Sequence, residues 1–535
     1  MITSQYKYSF LHQFVSRLFQ TSIGVFLILA LSILVAPGVL TGQSESDRPN
    51  IIFILADDLG YGDISAFNEH GKLHTENVDR LAREGMKFTD AHTTSSVCTP
   101  TRYSILTGRY NWRSRLKKSV LSGYSKALID GNRLTVAEIC QEKGYHTGYV
   151  GKWHLGWDWQ FTTDQDDSID KLSDRPQVDF SQPIKNGPKD HGFTYSYGFS
   201  GSLDMPPYVY VENGYVTAIP KDSTVCTDEK GFWRNGLTSP DFNHTLVLPH
   251  LTEKAVSYID ARAADEHPFL LYFPLPAPHT PILPITEFMG KSNTNFYGDF
   301  VLQVDDVVGQ IMAALEKHAM HENTLIIFTS DNGCSPRADF AELAQVGHDP
   351  SHIFRGHKAD IFEGGHRVPF VVRWPSKIKA GSVSDEVIST VDFMRTIAEV
   401  VGYELSDDAA EDSYSLLPIL LQQSFEGPLR EATVHHSING SFAIRQGTWK
   451  LILCADSGGW SAPRPGDVAP DSPSIQLYDL AEDPQELDNL QESHPEKVAA
   501  LKELLTKYIK NGRSTAGTTM HNDGPEVWPE LHWME

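Results

Sequence analysis

The sequence predicts an α/β protein with a large, mostly parallel β-sheet flanked by helices, and a smaller C-terminal α+β domain with an antiparallel sheet. Continuous apolar runs such as Asn50–Leu55 and Thr324–Thr329 are typical of strands that are buried on both faces. Helical patterns alternate with these runs, which is the order that builds a parallel sheet. Near the C-terminus, apolar and polar residues alternate in Phe442–Ile452 and Ile475–Leu480, as they do in antiparallel strands.

The elements of the large domain alternate along the chain. Predicted strands cover Asn50–Leu55, Met86–Ala91, His146–Val150, Phe269–Phe273, Thr324–Thr329 and Val368–Trp374. Predicted helices cover Asn77–Gly85, Thr135–Gly144, Asp299–His318, Asp392–Val401 and, near the C-terminus, Ser493–Tyr508. Asn77 is the expected N-cap of the first helix and Gly85 its end, whereas Ser493 and Glu496 fit a capping box. Residues 160–250 are irregular in sequence and are expected to form an insertion outside the sheet.

Length and composition indicate a globular protein of more than one domain. The chain has 535 residues, which is too long for one average domain, so we expect a catalytic domain at 47–402, a connector at 403–430 and a C-terminal α+β subdomain at 431–535. Hydrophobic residues make up 40% and charged residues 21%, which is enough apolar material for a sizeable core. The net charge of −24 argues against a nucleic-acid partner and requires any anion site to be locally basic.

The N-terminal segment, residues 1–43, is predicted to be an export signal. Lys7 and Arg17 precede the apolar run Ile23–Val35, and Pro37 then interrupts the apolar pattern. An uncleaved membrane anchor is the alternative, but the run is shorter than the roughly 20 residues that a membrane span needs. We therefore expect export to a bacterial periplasm or to the outside of the cell, with no stable membrane association after the signal is removed.

The cysteines do not form a recognisable framework. There are five of them, at positions 98, 140, 226, 334 and 454, and none belongs to a Cys-x-x-Cys pair. This number and spacing predict neither a disulfide scaffold nor a zinc knuckle. Disulfide pairing among them is left open.

Acidic residues follow two of the predicted buried strands. Asp57 and Asp58 come just after the first strand, and Asp331 and Asn332 come just after the strand that begins at Thr324. Ligands bind at the carboxyl ends of strands in open α/β sheets, and adjacent buried carboxylates are costly unless a cation compensates them. Carboxylate and amide oxygens suit Ca²⁺ or Mg²⁺ better than zinc. The alternative to a metal site is a helix cap or a turn, which would explain one aspartate after a strand more easily than the adjacent pair Asp57 and Asp58.

The segment Ser96–Arg109 is too poor in apolar residues, and too rich in Gly, Pro and Arg, for an ordinary core element. We expect a helix to begin beside Cys98, because Pro100 suits a first helical turn, where free backbone N–H groups favour an anion. Arg102 would place a rigid fork of donors beside the cysteine, which suits a tetrahedral oxyanion such as sulfate or phosphate. A buried cysteine that acts as a small hydrophobe is the alternative.

This Cys-x-Pro-x-Arg unit, followed by Leu-Thr-Gly-Arg, resembles the signature of the type I sulfatases. In that family a maturation enzyme, the formylglycine-generating enzyme, oxidises the cysteine to formylglycine, whose hydrate is the nucleophile. The resemblance implies this modification for Cys98 and an alkaline phosphatase-like fold. It also implies a metal site, with Ca²⁺ favoured over Mg²⁺, formed by Asp57, Asp58, Cys98, Asp331 and Asn332.

Two further stretches offer acid and base groups. Lys152 and His154 lie in a Gly-Lys-Trp-His stretch after a predicted strand, where residues two apart can face the same cleft. The stretch matches a sulfatase block that supplies two active-site residues, whereas a solvated lysine and a structurally satisfied histidine are the alternative. His279 lies between prolines in Pro276–Pro281, and such a stiff loop suits a proton donor better than a core histidine.

The remaining site candidates rest on the resemblance. Lys358 precedes a Glu-Gly-Gly-x-Arg-Val-Pro run that resembles a sulfate-contacting segment of the family, and a solvated surface lysine is the alternative. Ser202 and Asp204 lie in an aromatic, polar loop that resembles the substrate-facing segment of sulfatases, and packing over the sheet is the alternative. The resemblance extends from Asn50 to about Ser514.

The function that the resemblance implies is hydrolysis of a sulfate ester, expected on a sulfated carbohydrate, with aryl sulfates as artificial substrates. Arg102, Lys152 and Lys358 would supply fixed positive charge. His279, helped by Lys358, would protonate the leaving oxygen, and His154 would accept a proton from the hydrate, which expels sulfate. A phosphoester or phosphonate monoester hydrolase of the same superfamily is one alternative. An inactive, sulfatase-like glycan-binding protein is the other.

Overall fold

The computed structural model describes residues 48–162 and 176–534. The predicted export signal, residues 1–43, lies outside the described residues. Within the described residues, no helix is both long enough and apolar enough to cross a membrane. Contacts group the chain from Pro49 onward into one compact unit, which holds all the sheets given below.

The strands of the described residues form a ten-stranded sheet, a four-stranded sheet and two strand pairs. They are β1 (Asn50–Ala56), β2 (Met86–Phe88), β3 (Ala91–His92), β4 (His146–Lys152), β5 (Tyr195–Phe199), β6 (Val211–Glu212), β7 (Tyr215–Val216), β8 (Asp222–Cys226), β9 (Trp233–Thr238), β10 (Phe269–Pro274), β11 (Thr324–Ser330), β12 (Phe370–Arg373), β13 (Ser382–Ser384), β14 (Ile388–Ser389), β15 (Thr433–His436), β16 (Phe442–Gln446), β17 (Trp449–Ile452) and β18 (Gln476–Asp479). The order in the large sheet is β13-β2-β12-β11-β1-β10-β4-β5-β6-β7. Its centre, from β11 to β5, is parallel, as predicted.

Helices cover both faces of this sheet. The α-helices of the described residues are α1 (Glu76–Glu84), α2 (Cys98–Thr107), α3 (Val136–Glu142), α4 (Val247–Arg262), α5 (Phe296–Lys317), α6 (Phe340–Gln345), α7 (Glu363–His366), α8 (Phe393–Val400), α9 (Leu417–Leu420) and α10 (Pro495–Lys510). In the central strand β1, Phe53 packs in one apolar cluster with α2, α3 and α8, whereas its neighbour Ile54 packs in a second cluster with α4 and α5. Successive side chains of a strand point to opposite faces, so burial on both faces requires the continuous apolar run.

The predicted insertion at residues 160–250 is wrong in part, because this region supplies strands to the large sheet. β5 pairs in parallel with β4, with Gly148 opposite Tyr195, and β6 and β7 extend the sheet beyond it. The sequence of β5 is Tyr-Ser-Tyr-Gly-Phe, which lacks the run of branched aliphatic residues found in β1 and β11. Aromatic residues are also favoured in strands, but the serine and glycine between them hide the strand pattern in this short segment.

Three local predictions also need correction. Thr75, not Asn77, precedes the first helix, because the Asn77 side chain instead donates to Asp305 Oδ2 on α5 at 2.9 Å. Helix α10 begins at Pro495 without a capping box, and the Ser493 hydroxyl donates to the Leu490 carbonyl at 3.0 Å. The predicted strand Met86–Ala91 is divided between β2 and β3, which belong to different sheets.

The four-stranded antiparallel sheet β15-β16-β17-β18 lies in the predicted C-terminal range and packs against α10. Its edge strand β15 also contacts the segment that leads into α2. The backbone N–H of Ser96 donates to the carbonyl of His436 at 3.0 Å, and Ser95 forms a bridge with the same residue. The C-terminal sheet therefore helps to fix the backbone just before Cys98.

Candidate active site

The polar residues that follow β1 and β11 meet at one edge of the large sheet. The two strands are parallel neighbours with Ala56 opposite Ser330, so Asp57 and Asp58 lie beside Asp331 and Asn332. All four side chains are buried. This is the arrangement that the sequence predicts from the positions of these residues after two buried strands.

Helix α2 brings its N-terminus to this edge. Cys98 is the first residue of the helix, and Arg102 lies one turn later on the same face. The Arg102 guanidinium donates to Asp331 Oδ2 from Nε at 2.9 Å and from Nη2 at 2.7 Å, and to the Lys152 carbonyl from Nη1 at 2.9 Å. Burial raises the pKa of the Cys98 thiol despite the opposing charges of Lys152 and Lys358, so the thiol form is favoured.

Lys152 ends β4 and connects two of the predicted site residues. Its Nζ donates to Asp57 Oδ2 at 2.6 Å and to Ser202 Oγ at 3.2 Å. Burial alone would raise the pKa of Asp57, but the nearby positive charges, Lys152 first among them, hold that pKa well below its usual range. Asp57 is therefore a carboxylate at neutral pH.

Lys358 holds Asp58 in the same way. Its Nζ donates to both carboxylate oxygens, at 2.5 and 2.8 Å, and Asn332 Nδ2 donates to Asp58 Oδ1 at 2.8 Å. The Asp58 backbone has φ of 65°, a left-handed conformation that costs a non-glycine residue about 1–3 kcal/mol. Burial opposes the charge of Lys358, but Asp58 more than compensates and raises the pKa of the lysine, which stays protonated.

The donor set at this edge fits a hard divalent cation. Asp57 Oδ1 and Asn332 Oδ1 are buried, and neither has a hydrogen-bond partner among the described residues. One ligand atom each from Asp57, Cys98 and Asp331 lies within 4.8 Å of the others. Buried oxygen atoms without partners are costly, and a cation coordinated by oxygen would satisfy them.

His154 is arranged as a proton acceptor. Its Nε2 lies 2.8 Å from the Leu121 carbonyl, so Nε2 carries the hydrogen, and Nδ1 keeps a lone pair. Within the described part of the chain, Nδ1 is buried without a partner. Burial, assisted by the charge of Lys152, lowers the pKa of His154 well below its usual range, so the ring is neutral and can accept a proton.

His279 stands where the buried cluster opens into a cavity. Its ring lies against Ser202, with Oγ 3.2 Å from Nε2, and Nε2 is 3.6 Å from Asp58 Oδ2. Burial and the charge of Lys358 lower the pKa of His279, so the free protein favours the neutral ring. A bound anion beside the ring would favour its protonated form.

A cavity of about 510 Å³ adjoins His279 and Lys358 and extends away from the buried cluster. Asp204 lines it, as do Phe232, Arg234 and Trp460, three residues that were not predicted as site residues from the sequence. Phe232 immediately precedes β9, Arg234 is the second residue of that strand, and Trp460 comes from the loop between β17 and β18. The only signal in the sequence was the aromatic and basic cluster Phe-Trp-Arg within residues 160–250.

The structure thus places all the predicted site residues in one region. The buried cluster consists of Asp57, Asp58, Cys98, Arg102, Lys152, Asp331, Asn332 and Lys358. Asp204 and His279 line the adjoining cavity, Ser202 contacts Lys152 and His279, and buried His154 lies near enough to Lys152 for that charge to lower its pKa. The three buried cations of the cluster match its three carboxylates in number, so the site is not negatively charged although the protein as a whole has a net charge of −24. The arrangement can hold a divalent cation and bind a tetrahedral anion beside position 98.

Two protein families match the chain. Residues 49–403 match the family described as Sulfatase, and residues 356–514 match the family described as N-sulphoglucosamine sulphohydrolase, C-terminal. Among characterised relatives, N-acetylgalactosamine-6-O-sulfatase of Bacteroides thetaiotaomicron is 36% identical over 507 residues, which cover 87% of this chain and 93% of that protein. Human arylsulfatase A is 30% identical over 485 residues, which cover 86% of this chain and 88% of that protein.

A solved structure supports the same relationship. It was described for the metabolism of multiple glycosaminoglycans by Bacteroides thetaiotaomicron, and it superimposes on this chain with a TM-score of 0.74 and 32% sequence identity. The match covers 86% of this chain and 99% of that chain.

Proposed function

The chain belongs to the sulfatase family and is a sulfuric ester hydrolase, and on this premise we propose that it removes sulfate from a carbohydrate. The observation that carries the proposal is the set of buried cations, Arg102, Lys152 and Lys358, around the N-terminus of α2. Because these cations are buried, they do not contribute to the solubility of a protein whose net charge is −24. They are instead placed to bind an anion such as sulfate. The adjoining cavity is polar and aromatic, which suits a sugar.

Relatives support the carbohydrate part of the proposal. The relative from Bacteroides thetaiotaomicron acts on N-acetylgalactosamine 6-sulfate, as its name states, and the similar solved structure belongs to glycosaminoglycan metabolism. Both cover most of this chain at more than 30% identity. We therefore place sulfated sugars of the glycosaminoglycan type first among the substrates to test.

Ca²⁺ is the proposed metal, held by Asp57, Asp58, Asp331, Asn332 and the side chain at position 98. When bound, the cation neutralises negative charge on the sulfate oxygens. Arg102, through its double contact with Asp331, keeps its guanidinium fixed beside position 98. Lys152 and Lys358 add two further positive charges. A bound sulfate would therefore replace its hydrogen bonds to water by hydrogen bonds to donors that are already fixed in place.

Conversion of Cys98 to formylglycine by the dedicated maturation enzyme is the proposed source of the nucleophile. The burial-raised pKa of the Cys98 thiol makes the unmodified residue a poor nucleophile in this site. His154, with its free Nδ1 lone pair, is the proposed acceptor of the proton that must leave position 98 when sulfate is released. His279, at the cavity, is the proposed donor to the leaving oxygen of the sugar, and Lys358 beside it is the supporting cation.

The test is turnover by protein made together with the formylglycine-generating enzyme. Sulfate release from 4-nitrophenyl sulfate and from N-acetylgalactosamine 6-sulfate, galactose 6-sulfate and glucosamine 6-sulfate would be compared with phosphate release from 4-nitrophenyl phosphate. Mass spectrometry of the peptide that contains position 98 reports its conversion. We expect formylglycine and preferential sulfate release. Faster phosphate release, or activity with an intact Cys98 thiol, would contradict the proposal.

Export is proposed as well, on the N-terminal pattern of a charged segment followed by an apolar run. Cell fractionation with antibody detection would locate the mature protein. We expect it in the periplasm or the medium, and N-terminal sequencing should show cleavage near residue 43. Recovery of the uncleaved chain in the membrane fraction would contradict this part of the proposal.

A further inference from the structure

Asp204 is a buried carboxylate with one oxygen left without a partner. Only 6% of the residue is exposed, and Oδ1 has no hydrogen-bond partner within residues 48–162 and 176–534. The residue lines the cavity beside His279. An unpartnered carboxylate oxygen is costly in a buried position, so its place in the wall of a cavity points to a ligand that donates a hydrogen bond.

Arg234 occupies the other oxygen of Asp204. Its Nη1 forms an ion pair with Oδ2 and also lies 3.3 Å from the Asp204 carbonyl, while its backbone N–H donates to that carbonyl at 3.1 Å. Tyr208 fixes both residues, because its hydroxyl lies 3.0 Å from the carbonyl oxygen of Asp204 and 2.6 Å from that of Arg234. The pair is thus rigid before a ligand arrives, which lowers the entropy cost of binding.

The surroundings of the pair extend the polar surface. Thr280 Oγ1, which also lines the cavity, is buried and has no partner in the part of the chain that the structure describes. The centroid of the Phe232 ring lies 5.5 Å from the guanidinium carbon of Arg234 and 5.6 Å from that of Arg337. Trp460, 40% exposed, adds an aromatic surface to the same cavity.

The free oxygen of Asp204 and the neighbouring Arg234 would distinguish between the alcohols that can carry the sulfate group. A sugar carries ring hydroxyls next to the sulfated position, and one hydroxyl can donate to Asp204 Oδ1 while it accepts from Arg234. An aryl or steroid alcohol has no such hydroxyl, so its binding would leave Oδ1 unpartnered and out of water. A site built to hydrogen-bond a hydroxyl discriminates strongly against molecules that lack it.

We propose that Asp204 and Arg234 are specificity-determining residues that recognise a ring hydroxyl of the sugar that carries the sulfate, and so select sugars over aryl and steroid alcohols. The inference rests on the proposed function, which it deepens. It assigns the leaving-group side of the site to this pair, and the sulfate side to the buried cations.

The test compares two substrates in each variant. For Asp204→Asn and Arg234→Gln, kcat/KM would be measured with 4-nitrophenyl sulfate and with whichever sulfated monosaccharide of the panel above the wild-type protein hydrolyses fastest. We expect the sugar-to-aryl ratio of kcat/KM to fall about 10- to 100-fold in both variants, as loss of one hydrogen bond to a charged group implies. The desulfated sugar should also bind more weakly to both variants in a titration calorimeter.

Asp260→Asn is the matched control, because Asp260 is a solvent-exposed carboxylate on α4 that is paired with Lys317 and His318 and does not line the cavity. Its substrate ratio should equal that of the wild type. If kcat/KM fell equally for the sugar and the aryl substrate in Asp204→Asn and Arg234→Gln, the inference would be overturned. The pair would then affect catalysis by positioning His279 or by stabilising the fold. An unchanged ratio would overturn the inference as well.

Wild-type behaviour separates this inference from the proposed function. If the wild-type protein hydrolyses 4-nitrophenyl sulfate but none of the sulfated sugars, the hydroxyl-recognition inference fails while the sulfatase activity stands. If it hydrolyses neither class after confirmed conversion of Cys98, the proposed function itself fails. Two variants on opposite sides of the ion pair keep the test decisive if one of them does not fold.

Discussion

Lys152, at the end of β4, donates a hydrogen bond from Nζ to Asp57 Oδ2 at 2.6 Å, across the intervening strand β10. The contact joins a cation from one strand end to a carboxylate from another, and both side chains are fully buried. If one member of a buried pair of this kind is removed, the charge of the other member is left uncompensated.

Replacement of Lys152 by Met should reduce kcat/KM for 4-nitrophenyl sulfate about 100- to 1,000-fold, the cost of removing one preorganised donor from an anion site. The variant should also unfold at lower temperature, because Asp57 loses its 2.6 Å partner. Steady-state kinetics and thermal melting check both effects. Lys317→Met, which removes an exposed cation on α5, is the control and should change neither quantity appreciably. Full activity in Lys152→Met would refute the assigned role.

Removal of divalent cations should destabilise the protein. A cation that binds only the folded state stabilises it by about 2.7 kcal/mol at one hundred times its dissociation constant. Melting temperature would be recorded after dialysis against EDTA and again after addition of Ca²⁺, and we expect a fall and then a recovery. Asn332→Leu should weaken the response to Ca²⁺ because it removes a buried amide oxygen. A melting temperature that changes neither after EDTA treatment nor after addition of Ca²⁺ would contradict the proposed metal site.

Acid should destabilise the protein partly through His436. Burial, assisted by the charge of Lys117, lowers the pKa of His436 to about 3 in the folded protein, whereas an unfolded histidine titrates near pH 6.5. Between these two pH values the unfolded chain binds a proton at His436 that the folded protein does not bind. The contribution of neutral, buried His436 to the free energy of unfolding is therefore complete above pH 6.5 and is lost as the pH falls from 6.5 towards 3. The slope is up to about 1.4 kcal/mol per pH unit.

The measurement for His436 is urea unfolding at pH 7, 6, 5 and 4. His436→Gln should lose a slope of about 1.4 kcal/mol per pH unit relative to the wild type, although its stability at pH 7 will be lower. His70→Gln, in which a highly exposed histidine is replaced, is the control. Parallel pH dependences for the wild type and His436→Gln would contradict the prediction.

Gly198 in β5 should be intolerant of a side chain. A Cβ atom there would lie 2.0 Å from the Gly151 carbonyl oxygen and 2.4 Å from the Tyr149 hydroxyl, both on β4. We expect Gly198→Ala to destabilise the protein by about 1–3 kcal/mol, the usual cost of overpacking, and to lower activity because β4 carries Lys152. Gly131→Ala, where no atom lies within 4 Å of the added group, is the control. Equal melting temperatures for the two variants would show that β4 and β5 can separate without cost.

Residues that follow buried strands or begin a helix could be predicted from the sequence by local pattern, whereas Lys358, Ser202 and Asp204 were predicted only through the resemblance to sulfatases. Asp57, Asp58, Asp331 and Asn332 stand just after continuous apolar runs, so strand pairing alone brings them together. Cys98 and Arg102 share a short helix whose beginning is marked by Pro100.

By contrast, Arg234 and Trp460 meet at one cavity although more than two hundred positions separate them in the sequence. Arg234 belongs to β9, a strand of a separate two-stranded pair, and Trp460 to a loop, so neither segment has a sequence pattern that links it to the other. β5 was missed for a related reason, since its polar and aromatic residues do not distinguish a strand from a loop. Long-range contacts of this kind follow from the fold and not from local preference.

The contact between β15 and the segment before Cys98 has a consequence for the timing of maturation. Cys98 is only 2% exposed in the folded protein, in which Ser95 and Ser96 are held against His436. Because β15 is translated long after Cys98, at about 5–20 residues per second, an interval on the order of tens of seconds separates the two. Any enzyme that modifies Cys98 has to act within that interval, or before the finished chain folds. Folding that runs ahead of it would bury an unmodified Cys98 in the finished protein.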